Sequence, residues 1–141
     1  ITGVRSLIGP EGLTKILSTS DYLILLLPLT EKTKTIINSA SLKIVKTGAI
    51  LINAGRGGLI EDNALLKALD SGKLSGCTLD VFDEEPLPLE HPFWSHDRVT
   101  VTPHISAPTR LRSSIKSILI NIDRIKKGLQ PSGLVEKKRF Y

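Results

Sequence analysis

Three residues that could work together on a small acid stand just past the ends of apolar runs. Arg56 follows Ala49–Asn53 in the turn Ala54-Gly55-Arg56-Gly57-Gly58, Glu85 precedes Pro86 beyond Gly76–Val81, and His104 follows Val99, Val101 and Thr102 in Thr102-Pro103-His104-Ile105-Ser106. An arginine between glycines sits where the backbone turns tightly and can approach a ligand. Its guanidinium can grip a carboxylate with two parallel hydrogen bonds, which a lysine cannot imitate. A histidine exchanges a proton near neutral pH, the more so when a carboxylate stabilises its charged form. Together the three could bind an α-keto acid and move a proton to or from its carbonyl oxygen. Each alone has a plainer reading: a turn arginine can be a surface cation, and an isolated histidine is more often packed in a loop.

Other chemistries find less support. There is no GxSxG elbow and no serine with a histidine in local context, so nucleophilic catalysis is not expected. His91 and His96 read as loop residues, Asp83 and Glu84 as solvated loop charges, and Trp94 as an anchor of the proline-rich loop or a wall of a pocket. The histidines lack the spacing of a metal-binding helix and Cys77 has no CxxC partner, so no metal site is expected. Cys77, the single cysteine, excludes an internal disulfide, suits a reducing compartment and reads as a small core residue on a strand.

The elements that must position the trio follow from the apolar pattern. With 141 residues, 40% hydrophobic and 23% charged, the chain is an ordinary globular composition with enough length for a sizeable core. A short helix over Pro10–Ser18 precedes an apolar run, Tyr22–Leu27, whose continuity predicts a strand covered on both faces. A helix over Ala40–Lys46, capped by Asn38 or Ser39, leads to a strand at Ala49–Asn53. A third helix opens at Glu61 and Asp62 with Ala64, Leu65, Ala68 and Leu69 on one face. Strands at Gly76–Val81 and Val99–Thr102 flank a loop holding Pro86, Pro88 and Pro92, and an amphipathic helix runs from about Thr109 to Lys127. Alternating strands and helices predict an α/β fold: part of a doubly wound, Rossmann-like parallel sheet with flanking helices and a long C-terminal helix. In such a sheet ligands bind beyond the carboxyl ends of the strands, where Pro28, Gly55, Arg56, Asp80 and His104 all fall.

Charge and hydropathy narrow the partners. The net charge is +5, with nine basic residues from Arg110 onward against Asp123 and Glu136. Those bases alternate with Ile115, Ile118, Leu119, Ile122 and Ile125 and carry no aromatic run, the pattern of a solvated helix face rather than a nucleic-acid surface. No apolar run approaches the ~20 residues of a membrane span. No nucleic acid and no membrane is expected as a partner. The chain opens at Ile1 and contains no methionine, so a fragment, a processed product or a partial reading of a longer protein is expected.

Five stretches of local wording point to one family: LLLPLTEKT, INAGRGGLIEDNALLKALDSGKLSG, TLDVFDEEPLP, HPFW and VTVTPHIS. In combination they resemble the D-isomer-specific 2-hydroxyacid dehydrogenases, with wording nearest the glyoxylate/hydroxypyruvate reductase branch. The resemblance implies an NAD(P)-dependent oxidoreductase that interconverts a small 2-keto acid, such as glyoxylate or hydroxypyruvate, with its 2-hydroxy acid. It implies that Arg56 binds the substrate carboxylate, Glu85 supports the histidine and His104 is the proton donor. It implies further that Asp80 holds the nicotinamide carboxamide, and that Leu27, Pro28, Thr33, Ala54 and Gly55 line the cofactor, NAD or NADP, together with Arg56 and His104. Residues 1–107 would be the C-terminal part of the NAD(P)-binding domain, and 108–141 the crossover helix and tail that pack on a substrate domain. The full-length enzyme would be a cytoplasmic homodimer. No GxGxxG occurs in these residues, so the chain alone is expected to bind dinucleotide weakly and turn over little. The other expectation is an inactive remnant that binds or dimerises.

Overall fold

The computed structural model describes residues 3–135; the ends of the chain, including residues 136–141 of the expected tail, lie outside the described residues. The chain divides into two compact units, Ile1–His104 and Ile105–Tyr141. The first unit runs α1 (Gly9–Thr19), β1 (Tyr22–Leu25), α2 (Ser39–Ile44), β2 (Ala49–Asn53), α3 (Asp62–Asp70), β3 (Leu74–Leu79) and β4 (Val99–Val101), with short 3-10 turns at Gly57–Leu59 and Pro92–Trp94. The strands form one fully parallel sheet in the order β1-β2-β3-β4.

The starts of α1 and α2 follow from their local sequence, whereas α2 ends at Ile44, short of the Lys46 expected. Pro10 occupies the first turn of α1, where a missing N–H costs nothing. Asn38 caps α2: its Oδ1 accepts from the N–H groups of Ala40 (2.9 Å) and Ser41 (3.1 Å), while the Ser41 hydroxyl accepts from the Asn38 N–H at 2.8 Å. Right-handed crossovers in a sheet that grows in one direction put successive helices on the same face. Accordingly α1 packs on α2 and α2 on α3. The core lies between them and the sheet, where Leu17, Leu42, Leu65 and Leu69 meet Leu23, Leu51, Cys77 and Leu79. Cys77 is buried on β3, as its reading as a core residue predicts.

One expectation fails. The Tyr22–Leu27 run is not covered on both faces: Leu23 and Leu25 are buried, but Tyr22 is 64% and Ile24 59% exposed. β1 pairs with β2 alone, so it is an edge strand, and within this unit the helices occupy only the other face. Tyr22 and Ile24 stand in register with Ile50 and Ile52 of β2, which are only partly buried. A continuous apolar run reports that both sides are suited to burial; here only one side has a cover.

In the second unit α4 spans Leu111–Lys126. Its isoleucine and leucine stripe is exposed. Beyond Gly128 the chain folds back: Asn121 exchanges hydrogen bonds with the Ser132 backbone (3.1 and 2.8 Å), and Arg124 Nε donates to the Gln130 carbonyl at 2.7 Å.

Candidate active site

All four strands run the same way, so their carboxyl ends lie along one edge, and the residues that follow them collect there. At the exit of β2, Asn53 shapes the turn. It is 1% exposed; its Nδ2 donates to the Arg56 carbonyl at 2.9 Å and its Oδ1 accepts from the Gly55 N–H at 3.1 Å. Arg56 itself is exposed, one guanidinium N–H donating to the Gly55 carbonyl at 2.7 Å. The turn then backs directly onto the exit of β3. A Cβ on Gly57 would run into the Phe82 carbonyl carbon and the Asp83 nitrogen, so only glycine lets these two backbones meet.

That close approach brings Arg56 to Glu85. The Glu85 carboxylate accepts from the Phe82 N–H at 2.9 Å through Oε1 and from His104 Nδ1 at 2.7 Å through Oε2. The His104 bond, then the Phe82 N–H, hold the Glu85 carboxyl below the usual carboxylate range, with smaller help from the charges of His104 and Arg56. An ionised carboxylate only accepts, so Nδ1 of His104 carries the proton of that bond and Nε2 is the ring nitrogen that can serve a ligand. His104 has a left-handed backbone, φ 54, and its N–H donates to the Thr102 carbonyl at 3.1 Å. Pro103 and that turn fix where the imidazole emerges.

Asp80 closes β3, 3% exposed, with its N–H on the Asn53 carbonyl (2.9 Å) and its Oδ1 accepting from the Thr102 hydroxyl at 2.5 Å. Leu27, Pro28 and Thr33 lie at the exit of β1. The Thr33 hydroxyl donates to the Pro28 carbonyl (2.7 Å) and accepts from the Thr30 N–H (2.8 Å), so it holds that turn in shape. Ala54 donates its N–H to the Leu25 carbonyl at 3.2 Å, and Gly55 is buried against the carbonyls of Leu25 and Leu27.

The remaining histidines are loop residues with fixed partners. His91 reaches Asp62 at 3.6 Å and stacks at a tilt on Phe93. His96 meets Asp70 at 3.3 Å and accepts from the Arg98 N–H. Asp83 and Glu84 are exposed. Trp94 is anchored, its Nε1 donating to the Pro88 carbonyl at 2.9 Å, and it also walls a cavity beside His104. Sequence reasoning misses Asn53 and Gly57 as organisers of the site. The available signal is an asparagine ending an apolar strand just before a glycine-rich turn.

A parallel sheet with helices crossing on its face and polar groups gathered at its carboxyl edge defines an α/β nucleotide-binding type of domain. The chain belongs to the D-isomer specific 2-hydroxyacid dehydrogenase family: the profile of that family's NAD binding domain matches residues 5–106. Solved structures agree. A D-isomer specific 2-hydroxyacid dehydrogenase from Xanthobacter autotrophicus Py2, in complex with NADPH and MES, is 38% identical with a TM-score of 0.90, over 94% of this chain and 55% of that one. A family member from Klebsiella pneumoniae 342 is 40% identical with a TM-score of 0.89, over 98% and 44%. The NADPH-dependent glyoxylate/hydroxypyruvate reductase of Sinorhizobium meliloti, in complex with NADP and sulfate, is 37% identical with a TM-score of 0.89, over 95% and 44%. The chain therefore spans about half the length of these relatives.

The residues present fit one end of a nicotinamide dinucleotide. The fixed Asp80 carboxylate is an acceptor of the kind a carboxamide needs, and it lies at the same edge as His104. A pyrophosphate needs backbone N–H groups at a helix N-terminus, and the chain holds no GxGxxG to supply them.

Proposed function

We propose that the chain supplies the catalytic half of an NAD(P)H-dependent reductase that converts a small 2-keto acid, glyoxylate or hydroxypyruvate, to its 2-hydroxy acid. The observation that carries this reading is the bond of 2.7 Å between His104 Nδ1 and Glu85, beside the turn that bears Arg56. Arg56 grips the substrate carboxylate with two parallel hydrogen bonds and so fixes the keto carbon. The cofactor, when bound, supplies the hydride. His104 delivers the proton from Nε2 to the carbonyl oxygen, and Glu85 holds the ring in orientation and stabilises its charged form. In the oxidation direction the same nitrogen takes the proton back. Asp80 orients the carboxamide end of the cofactor, with Leu27, Pro28, Thr33, Ala54 and Gly55 along the rest of it.

In this reading residues 1–107 are the later part of the NAD(P)-binding domain and 108–141 the crossover to a substrate domain, in a cytoplasmic homodimer; the single cysteine suits that reducing setting. The chain alone lacks the pyrophosphate loop, so it binds dinucleotide weakly and turns over little. The test is NADPH oxidation with glyoxylate and hydroxypyruvate by the protein isolated at its native length. His104→Ala should abolish turnover, and Arg56→Lys should raise KM for the keto acid. Full activity in His104→Ala, or tight NADPH binding by the 141-residue chain, would overturn the reading. The bare face of β1 and the exposed stripe of α4 favour a second reading, an inactive remnant that serves as a binding or dimerising module. A stable assembly in light scattering with no turnover would select it.

A further inference from the structure

Two residues of the site hang from a third. Thr102 follows β4 directly, and its N–H carries the ladder to β3 one step further by donating to the Leu79 carbonyl at 2.9 Å. Its carbonyl accepts from the His104 N–H at 3.1 Å, closing a three-residue turn over Pro103, whose locked φ suits such a turn. Its hydroxyl donates to Asp80 Oδ1 at 2.5 Å. The residue that places the imidazole therefore also holds the buried carboxylate, with both of its own main-chain groups engaged.

The hydroxyl bond settles what the fold of the main chain leaves open. Rotation about the Cβ–Cγ bond of an aspartate is soft and roughly twofold, so a fixed backbone does not fix where the two oxygens face. The Asp80 N–H on the Asn53 carbonyl at 2.9 Å pins the main chain at the exit of β3, whereas the bond from Thr102 acts on the carboxylate itself. A threonine suits that task. Its branched Cβ makes χ1 stiff, and an O–H donor on an ionised oxygen makes one of the short, strong hydrogen bonds. Thr102 is half-buried and Asp80 only 3% exposed, so water competes little for the bond.

We propose that Thr102 is a positioning residue for the cofactor: by holding Oδ1 it turns the Asp80 carboxylate to accept from the carboxamide N–H of the nicotinamide, at a set spacing from His104. The inference rests on the reading of Asp80 as the carboxamide acceptor and goes beyond it to what orients that acceptor. Immobilising a side chain on binding costs roughly two- to tenfold in affinity, and a carboxylate already turned avoids that loss.

The probes are nicotinamide mononucleotide, which needs no pyrophosphate loop, and 3-acetylpyridine mononucleotide, in which a methyl group replaces the carboxamide nitrogen. Resonance shifts of the 141-residue chain give both Kd values. Wild type should prefer the carboxamide roughly tenfold, the effect of one charge-assisted hydrogen bond. Thr102→Val keeps the shape and loses the hydroxyl, so the preference should fall to about threefold or less. Thr102→Ala makes the same comparison if valine disturbs the strand end, and Thr102→Ser should restore most of the preference. In an Asp80→Ala background the preference should be gone, and Thr102→Val should change nothing further. An undiminished preference in Thr102→Val and Thr102→Ala, or an equal loss in Thr102→Ser, would overturn the inference and leave the reading of Asp80 intact. No preference in wild type, or one that survives Asp80→Ala, would refute the reading of Asp80 and the inference with it.

Discussion

The contact between the Arg56 turn and the exit of β3 makes a graded prediction about three nearby glycines. None of Gly55, Gly57 and Gly58 has a positive φ, so alanine meets no backbone penalty at any of them. By restricting the unfolded chain, each replacement should gain about 0.4–1 kcal/mol. What separates them is what the added methyl meets. At Gly58 it meets Leu29 Cδ2 at 3.0 Å and Asp83 Oδ1 at 3.1 Å, the far ends of side chains that can step aside. At Gly55 it meets Leu59 Cδ1 at 2.9 Å but also the Leu27 carbonyl oxygen at 3.0 Å. At Gly57 it meets the Phe82 and Asp83 main chain, which cannot move without shifting Glu85. Overpacking costs about 1–3 kcal/mol or more. Gly58→Ala should be close to neutral, Gly55→Ala moderately destabilising, and Gly57→Ala the worst, by about 2 kcal/mol or more after the gain is subtracted. At roughly 3–5 °C per kcal/mol for a chain of this size, Gly57→Ala should lower Tm by about 6–10 °C. Thermal melts followed by circular dichroism give the order. A Gly58→Ala loss equal to that of Gly57→Ala would refute the argument, because it would mean the turn does not rest on the Phe82–Asp83 backbone.

Three further predictions concern single side chains. Glu85 has a lowered folded-state pKa, so its stabilising effect should be present above the unfolded value of about 4.3 and fade as pH falls through the folded one. The stability gap between wild type and Glu85→Gln should therefore close in acid, and the Glu85 carboxyl carbon should titrate below an ordinary glutamate, with His104→Ala raising that titration while the Phe82 N–H still holds it down. Burial pushes the Cys77 thiol up to about 12. At pH 8 its thiolate fraction is roughly one in ten thousand, so a thiol reagent should label it only on unfolding, and rapid labelling of the native chain would contradict its burial. Asn53→Ala leaves the Gly55 N–H and the Arg56 carbonyl without their bonds, which should cost about 2–4 kcal/mol in urea titration. A loss below 1 kcal/mol, smaller than a single such bond is expected to cost, would show that Asn53 does not hold the turn.

The parts of the fold legible in the sequence are those set by local pattern. The apolar runs and glycine stops predict a parallel sheet, and the strand ends deliver Arg56, Asp80 and His104 to one edge because parallel strands share a direction. The Asn38 cap is likewise local, contained in four consecutive residues. What escapes is long-range. That Gly57 rests on Phe82 depends on how two crossovers pack, and no spacing rule encodes it. The two-sided burial expected of β1 fails because hydrophobicity describes a strand's suitability for contact, whereas the contact depends on what lies opposite. The double use of Trp94, anchored at its nitrogen and walling a cavity with its ring, requires the loop to be folded before it can be seen.

The two faces of the sheet have different evolutionary liberties. Substitutions at Leu51 or Cys77 must be answered by α1–α3, which this chain carries itself, so compensation can arise within one stretch of coding sequence. Substitutions at Tyr22 or Ile24 meet no such constraint in the isolated chain, where lysine would be tolerated and would improve solubility. The retention of tyrosine and isoleucine there can be tested by sampling variation: an apolar-only repertoire at those positions would record selection by a surface outside these residues, and free drift to polar side chains would record its absence.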